Sequence, residues 1–174
     1  MRQKSWYKVV LAFTLVLAVA TSLWFAAPVM DTAVSANNKG LDYNNEGEYD
    51  KAIVAFTKAI ELDPELAFAY NNRGWAYIEL GQYEQGIADC TKAIELDPEL
   101  ALAYNNRGWA YIELGQYEQG IADCTKAIEL DPELALAYNN RGWAYIELGQ
   151  YEQGIADCTK AIELDPNLLA PMKD

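Results

Sequence analysis

Across the middle of the chain, apolar and polar positions alternate with the period of a helix. Tyr70, Gly74, Tyr77 and Leu80 or Gly81 recur at spacings of three and four, tracing one helical face that reads as a core stripe. Gly81-Gln82 interrupts the pattern, glycine supplying the left-handed residue on which helices end. Tyr83, Gly86, Ile87, Cys90, Ala93, Ile94 and Leu96 then trace the apolar face of a second helix. Asp97-Pro98 resets the chain, with Asp97 expected to cap the next helix and Pro98 to occupy its first position. Connections this short allow only antiparallel neighbours.

The same pattern returns. Ala69 to Leu102 is repeated without a change as Ala103 to Leu136, and Ala137 to Pro166 matches the first thirty residues of that unit. A diverged copy precedes them, with Asn37-Asn38-Lys39-Gly40 standing where Asn71-Asn72-Arg73-Gly74 stands later. A period of 34 residues means stacked supersecondary units and not one closed globule. The predicted fold class is all-α, with helix pairs at 33–66, 67–100, 101–134 and 135–168 and a short tail at 169–174.

At these residues the chain resembles the tetratricopeptide repeat (TPR) family, whose signature places aromatic, Gly, Tyr, Ala and Pro residues at fixed offsets. Tyr70, Gly74, Tyr77, Gly81, Tyr83, Ala93 and Pro98 occupy matching places, and each later copy matches again. The first copy keeps Gly40, Tyr43, Gly47, Tyr49, Ala52, Phe56, Ala59 and Pro64. The resemblance implies a right-handed α-solenoid whose first helices line a concave groove. It also implies binding of peptides or protein segments without catalysis, cofactor or metal. Three departures stand out. Gly86, Gly120 and Gly154 replace Ala, at a helix cost of about 1 kcal/mol each. Cys90, Cys124 and Cys158 replace a large residue, so the later units are expected to pack more loosely there than the first. Arg73, Arg107 and Arg141 take a place usually apolar, their stems expected to cover the core while the guanidinium reaches solvent.

Residues 1–32 differ from everything after them. Arg2, Lys4 and Lys8 form a basic head, and residues 9–27 run without a charge, enough for a helix of roughly 28 Å. The segment reads either as a signal peptide, with Val34-Ser35-Ala36 as a cleavage site, or as a retained membrane anchor with the N-terminus inside. Both readings place the repeats outside the cytoplasm, secreted or periplasmic in one case and tethered to a membrane in the other.

Composition narrows the function. The 174 residues contain no His, which removes Ser-His-Asp and Cys-His catalysis and leaves no imidazole for a metal. A formal net charge of -13 argues against nucleic acid, whose phosphates need a basic stripe. The acidic surface reads as a solvated face or as steering toward a basic partner.

The candidate groove residues are Asn71, Trp75 and Glu79 with their copies Asn105, Trp109, Glu113, Asn139, Trp143 and Glu147. Three indoles in register can grip an extended apolar or proline-rich peptide, or can wedge between successive first helices as core. The Asn amides can bond a ligand backbone or one another. No basic residue flanks them toward the groove, unlike TPR domains that clamp a carboxylate. Identical rungs suit a repetitive or permissive ligand. The three Cys read as core fillers, with redox or soft-metal chemistry as the alternative. A purely structural envelope element is the third reading. Residues after Pro166 are too few and broken for a capping helix, so the last helix is expected to expose apolar surface and to support self-association or docking.

Overall fold

The computed structural model describes residues 32–168, and everything it describes there is helix or tight turn. Helix α1 covers residues 32–45. It is followed by α2 (Tyr49–Leu62), α3 (Ala67–Glu79), α4 (Tyr83–Leu96), α5 (Ala101–Glu113), α6 (Tyr117–Leu130), α7 (Ala135–Glu147) and α8 (Tyr151–Leu164). The basic head and the apolar run at 9–27 lie outside the described residues, as does the 169–174 tail. Among the described residues no helix is long and apolar enough to cross a membrane.

Each first helix ends the same way. Gly81 has φ 72°, the left-handed region that glycine enters without steric penalty. The Gln82 N–H then donates to the Tyr77 carbonyl at 2.9 Å and the Gly81 N–H to Ile78 at 2.9 Å. This paired closure satisfies two carbonyls that the helix end would leave open. The other end of the pair differs from the expected cap. Asp97 ends α4, and its Oδ1 accepts the Glu99 N–H at 3.0 Å inside the turn. Helix α5 starts only at Ala101, with Leu100 before it and no side-chain cap. The aspartate shapes the turn and never reaches the next helix.

From α2 to α8, contacts between elements join only near neighbours: each helix meets the next, and α3 meets α5 as α5 meets α7. Successive second helices do not touch. The stack therefore curves with the first helices inside, an open α-solenoid with no contact between distant segments among the described residues.

Alanine makes this close stacking work. Ala52, Phe56 and Ala76 form one buried cluster, Ile78, Cys90 and Ala110 the next, and Ile112, Cys124 and Ala144 the next. Each crosses from one pair into the following one. The buried residues of α3 are Ala67, Ala69, Asn71, Gly74, Ala76 and Ile78, while Tyr70 and Tyr77 are half-buried and Leu80 is exposed. The core stripe thus lies one position off the tyrosine-based reading, because the neighbouring backbone approaches too closely for large side chains.

Two further expectations are corrected. The later copies are not loose at their glycines. A Cβ on Gly86 would lie 2.5 Å from Ile78 Cγ1 and 3.0 Å from the Gly74 carbonyl, and one on Gly74 would lie 2.8 Å from Cys90 Sγ. Facing glycines let α3 and α4 meet backbone to backbone, and Cys90 and Cys124 are fully buried beside them. Nor do the arginines reach solvent. Arg73 Nε and Nη2 donate to the Asp89 carboxylate at 2.7 and 2.8 Å, and Nη1 donates to Thr57 in the preceding pair at 3.0 Å. Arg107 and Arg141 repeat this fork with Asp123 and Thr91 and with Asp157 and Thr125. The planar guanidinium matches the carboxylate two-pronged, which lysine cannot do.

Candidate functional site

The inner face is built from one stripe of each first helix. Positions 68, 72, 75 and 79 lie within a narrow arc at 3.6 residues per turn, and α5 and α7 repeat it. A concavity of about 310 Å³ opens there, lined by Trp75, Glu79, Asn105, Asn106, Trp109, Leu136, Asn139 and Asn140. It collects residues from three successive copies, so no single unit forms it. None of these eight side chains is basic.

Its floor is a ladder of asparagines. Asn140 Nδ2 donates to Asn105 Oδ1 at 3.0 Å, Asn105 to Asn106 at 3.3 Å, and Asn106 to Asn71 at 3.0 Å. Asn71 donates to Asn72 at 3.3 Å, and Asn72 to Asn37 at 3.1 Å. The chain of amides runs through all four pairs and fixes their register. Asn71 and Asn105 are buried within it, Asn140 ends it, and Asn139 lies half-buried beside that end. Asn139 takes no part in the ladder's bonds, so its amide keeps donor and acceptor capacity toward the concavity.

The indoles occupy both of the places weighed from sequence. Trp75 and Trp109 are half-buried, and Trp109 packs on the Ile78–Cys90–Ala110 cluster while also lining the concavity. Trp143 meets it edge to face, with ring centres 5.7 Å apart and planes at 77°, a favoured aromatic geometry. The glutamates are exposed, and two hold the stack together at its rim. Tyr49 donates its hydroxyl to Glu79 at 3.0 Å and Tyr83 to Glu113 at 3.1 Å. Partial burial and then these bonds push both phenols up from their ordinary value.

Sequence reasoning missed Leu136, which stands with Phe68 and Leu102 as a second exposed apolar row on the first helices. Its signal was available: each member sits seven residues before a Trp, two turns back on the same face. A larger hollow, about 530 Å³, lies at the other end of the stack between Lys39, Tyr43, Lys51, Val54 and Lys58. Lys39 stands there where Arg73 stands later, and Ala55 where Asp89 stands.

Burial pushes the Cys90 and Cys124 thiols up to about 12 and raises Cys158 as well. A thiol sealed and held protonated, as Cys90 and Cys124 are, is neither nucleophile nor metal ligand, whereas Cys158 is only half-buried. Among the described residues no group of His, Cys, Asp and Glu could hold a metal.

The tetratricopeptide repeat profile matches residues 67–100, 101–134 and 135–168, and a second TPR profile matches 40–81. No curated protein matches the chain. Among solved structures, the first TPR of Spaghetti (RPAP3) bound to the HSP90 peptide SRMEEVD is 30% identical, with a TM-score of 0.66. That match covers 68% of this chain and 94% of the other. The second TPR domain of human RPAP3, in complex with the HSP70 peptide SGPTIEEVD, is 30% identical over 67% of this chain and 97% of its own, with a TM-score of 0.63. A crystal structure of MamA is 25% identical over 87% of each chain, with a TM-score of 0.68. Profile matches over more than half of the sequence, together with helix pairs stacked at the same period, place this chain in the tetratricopeptide repeat family.

Proposed function

We propose that the protein is a non-catalytic scaffold that holds extended, apolar or proline-rich, uncharged-to-basic peptide segments along the inner face of its solenoid. The observation that carries this reading is the concavity shared by Trp75, Trp109, Leu136 and the asparagine ladder, with Glu79 at its rim and no cation in its lining. The neighbours that bind peptides support a peptide ligand of some kind. Their peptides end in Glu-Glu-Val-Asp, whereas a groove rimmed by glutamate favours the opposite charge. Packed helices stand about 8–10 Å apart, and a polyproline II strand advances about 9 Å per three-residue turn. A ligand with an apolar residue at every third position would therefore present one to each rung. Repetition along the groove then raises avidity without a new type of contact. Location outside the cytoplasm is part of the proposal and rests on residues 1–32 alone.

The test is an isothermal calorimetric titration with a synthetic peptide of repeated Pro-Pro-Lys triplets. Saturable binding is expected, weakening by at least tenfold when Trp75, Trp109 and Trp143 are all changed to Ala while circular dichroism stays helical. Equal affinity in the variant, or tighter binding of an acidic peptide, contradicts the groove assignment.

A further inference from the structure

The second, third and fourth copies share one sequence, so differences in their exposure come from position alone. Ile78 and Ile112 are 3% and 4% exposed, whereas Ile146 at the same place is 38% exposed. Trp143 is 48% exposed, Tyr151 62% and Ile155 63%, where the equivalent residues of earlier copies are half-buried. The face formed by α7 and α8 is thus a surface that the molecule covers twice elsewhere, and the cover is known. At each earlier junction a first helix presents the same stripe: Asn106, Arg107, Ala110 and Glu113 in one case.

Each member of that stripe has a seat, and each seat stands open on the last copy. Ala110 fills a position against Ile78 and Cys90. The matching position is a hollow of about 160 Å³ bounded by Asn139, Trp143, Ile146, Glu147 and Cys158. Asn106 donates to Asn71 and Asn140 to Asn105, while Asn139, at the same place in the last copy, receives no such donor. Arg107 donates to Thr91 and Arg141 to Thr125, whereas the Thr159 hydroxyl turns back to the Ile155 carbonyl at 2.8 Å. Tyr83 donates to Glu113, and Tyr151 points to solvent in its place.

We infer that the α7–α8 face is a docking site, separate from the groove, for a partner helix carrying the stripe Asn-Arg-x-x-Ala-x-x-Glu, as on a first helix of another tetratricopeptide chain. Four complementary half-contacts in a fixed register specify this occupant, which general apolarity would not. The chain's own N-terminal helix does not supply it. Asp42 stands where Ala76, Ala110 and Ala144 stand, and seating it would bury a carboxylate against Ile146 and Cys158, a cost of several-fold to many-fold in affinity. The 169–174 sequence, Leu-Ala-Pro-Met-Lys-Asp, contains none of the stripe.

The experiment uses the full chain and a synthetic peptide of residues 99–116, which has the stripe and no cysteine. Iodoacetamide labelling of the protein alone should show one fast thiol, assigned to Cys158 by its loss in Cys158→Ser. Rising peptide concentration is expected to slow that phase at least fivefold, and a peptide with Ala110→Lys to leave it unchanged. An unprotected fast phase, or equal protection by the lysine peptide, overturns the inference. Absence of any fast thiol overturns it too, since the chain would then cover the face itself. So does slowing with protein concentration alone together with a sedimenting dimer, which would make a second copy the occupant.

Discussion

The first copy and its three successors solve the same packing problem with different side chains. In the first, Phe56 is fully buried and lies over Gly40, with Ala52 beside it and Asn44 at the end of α1. In the second, the positions of Asn44, Ala52 and Phe56 are held by Ile78, Gly86 and Cys90. Ile78 lies over Gly86 in the second copy, whereas the phenyl ring lies over Gly40 in the first. The later trio is the smaller one, and the backbone approach across Gly74 and Gly86 takes up the difference, as expected of an interior packed to crystal density. The polar layer follows suit: the Arg73–Asp89 fork of the second copy has Lys39 and Ala55 as its counterparts. The carboxylate is absent from the first copy, and the remaining cation, Lys39, is exposed, so no charge is stranded in the interior.

This comparison can be broken deliberately. Phe56→Ala should have the largest effect, about 3–5 kcal/mol, because it empties the first copy's core, where Asn44 stands in the place of Ile78. Chemical denaturation checks this, and a loss under 1 kcal/mol would mean that the first copy contributes little to the stack. Next comes the charge pair. Asp123→Ala strands Arg107 and should cost about 3 kcal/mol. Adding Arg107→Lys, the first copy's own solution, should recover part of that loss, and strict additivity in the double-mutant cycle would reject the coupling. Smallest is the packing exchange. Cys90→Phe alone should cost about 1–3 kcal/mol by overpacking. Combined with Ile78→Asn and Gly86→Ala it should cost less. It should not return to zero, because Asn44 Oδ1 is buried without a hydrogen-bond partner in the first copy and the transplant imports that defect.

Much of the architecture could be read directly from the residues. The period of 34, the glycine stops and the two-helix unit all rest on local rules of spacing and backbone conformation, and those rules hold in each copy. What could not be read depends on how close two helices come. Gly86 looks like a helix-weakening residue until Gly74 is seen facing it. Arg73 and Asp89 are sixteen residues apart, so neither announces the other. The same holds at the groove. Trp75, Trp109 and Glu79 were identifiable by position on the helix, and they do line the concavity. The burial of Asn71 and Asn105 was not identifiable, because it arises between copies through bonds spanning 35 residues.

The account stands on contacts that link each pair only to its neighbours, and deletion of one whole copy tests this most directly. Removing residues 101–134 joins Leu100 to Ala135 in unchanged local sequence. The shortened chain is expected to stay helical per residue and to unfold cooperatively at a lower temperature. A collapse of helical content on deletion would contradict it, because only a structure closed by contacts between distant segments loses its fold when an interior unit is taken out.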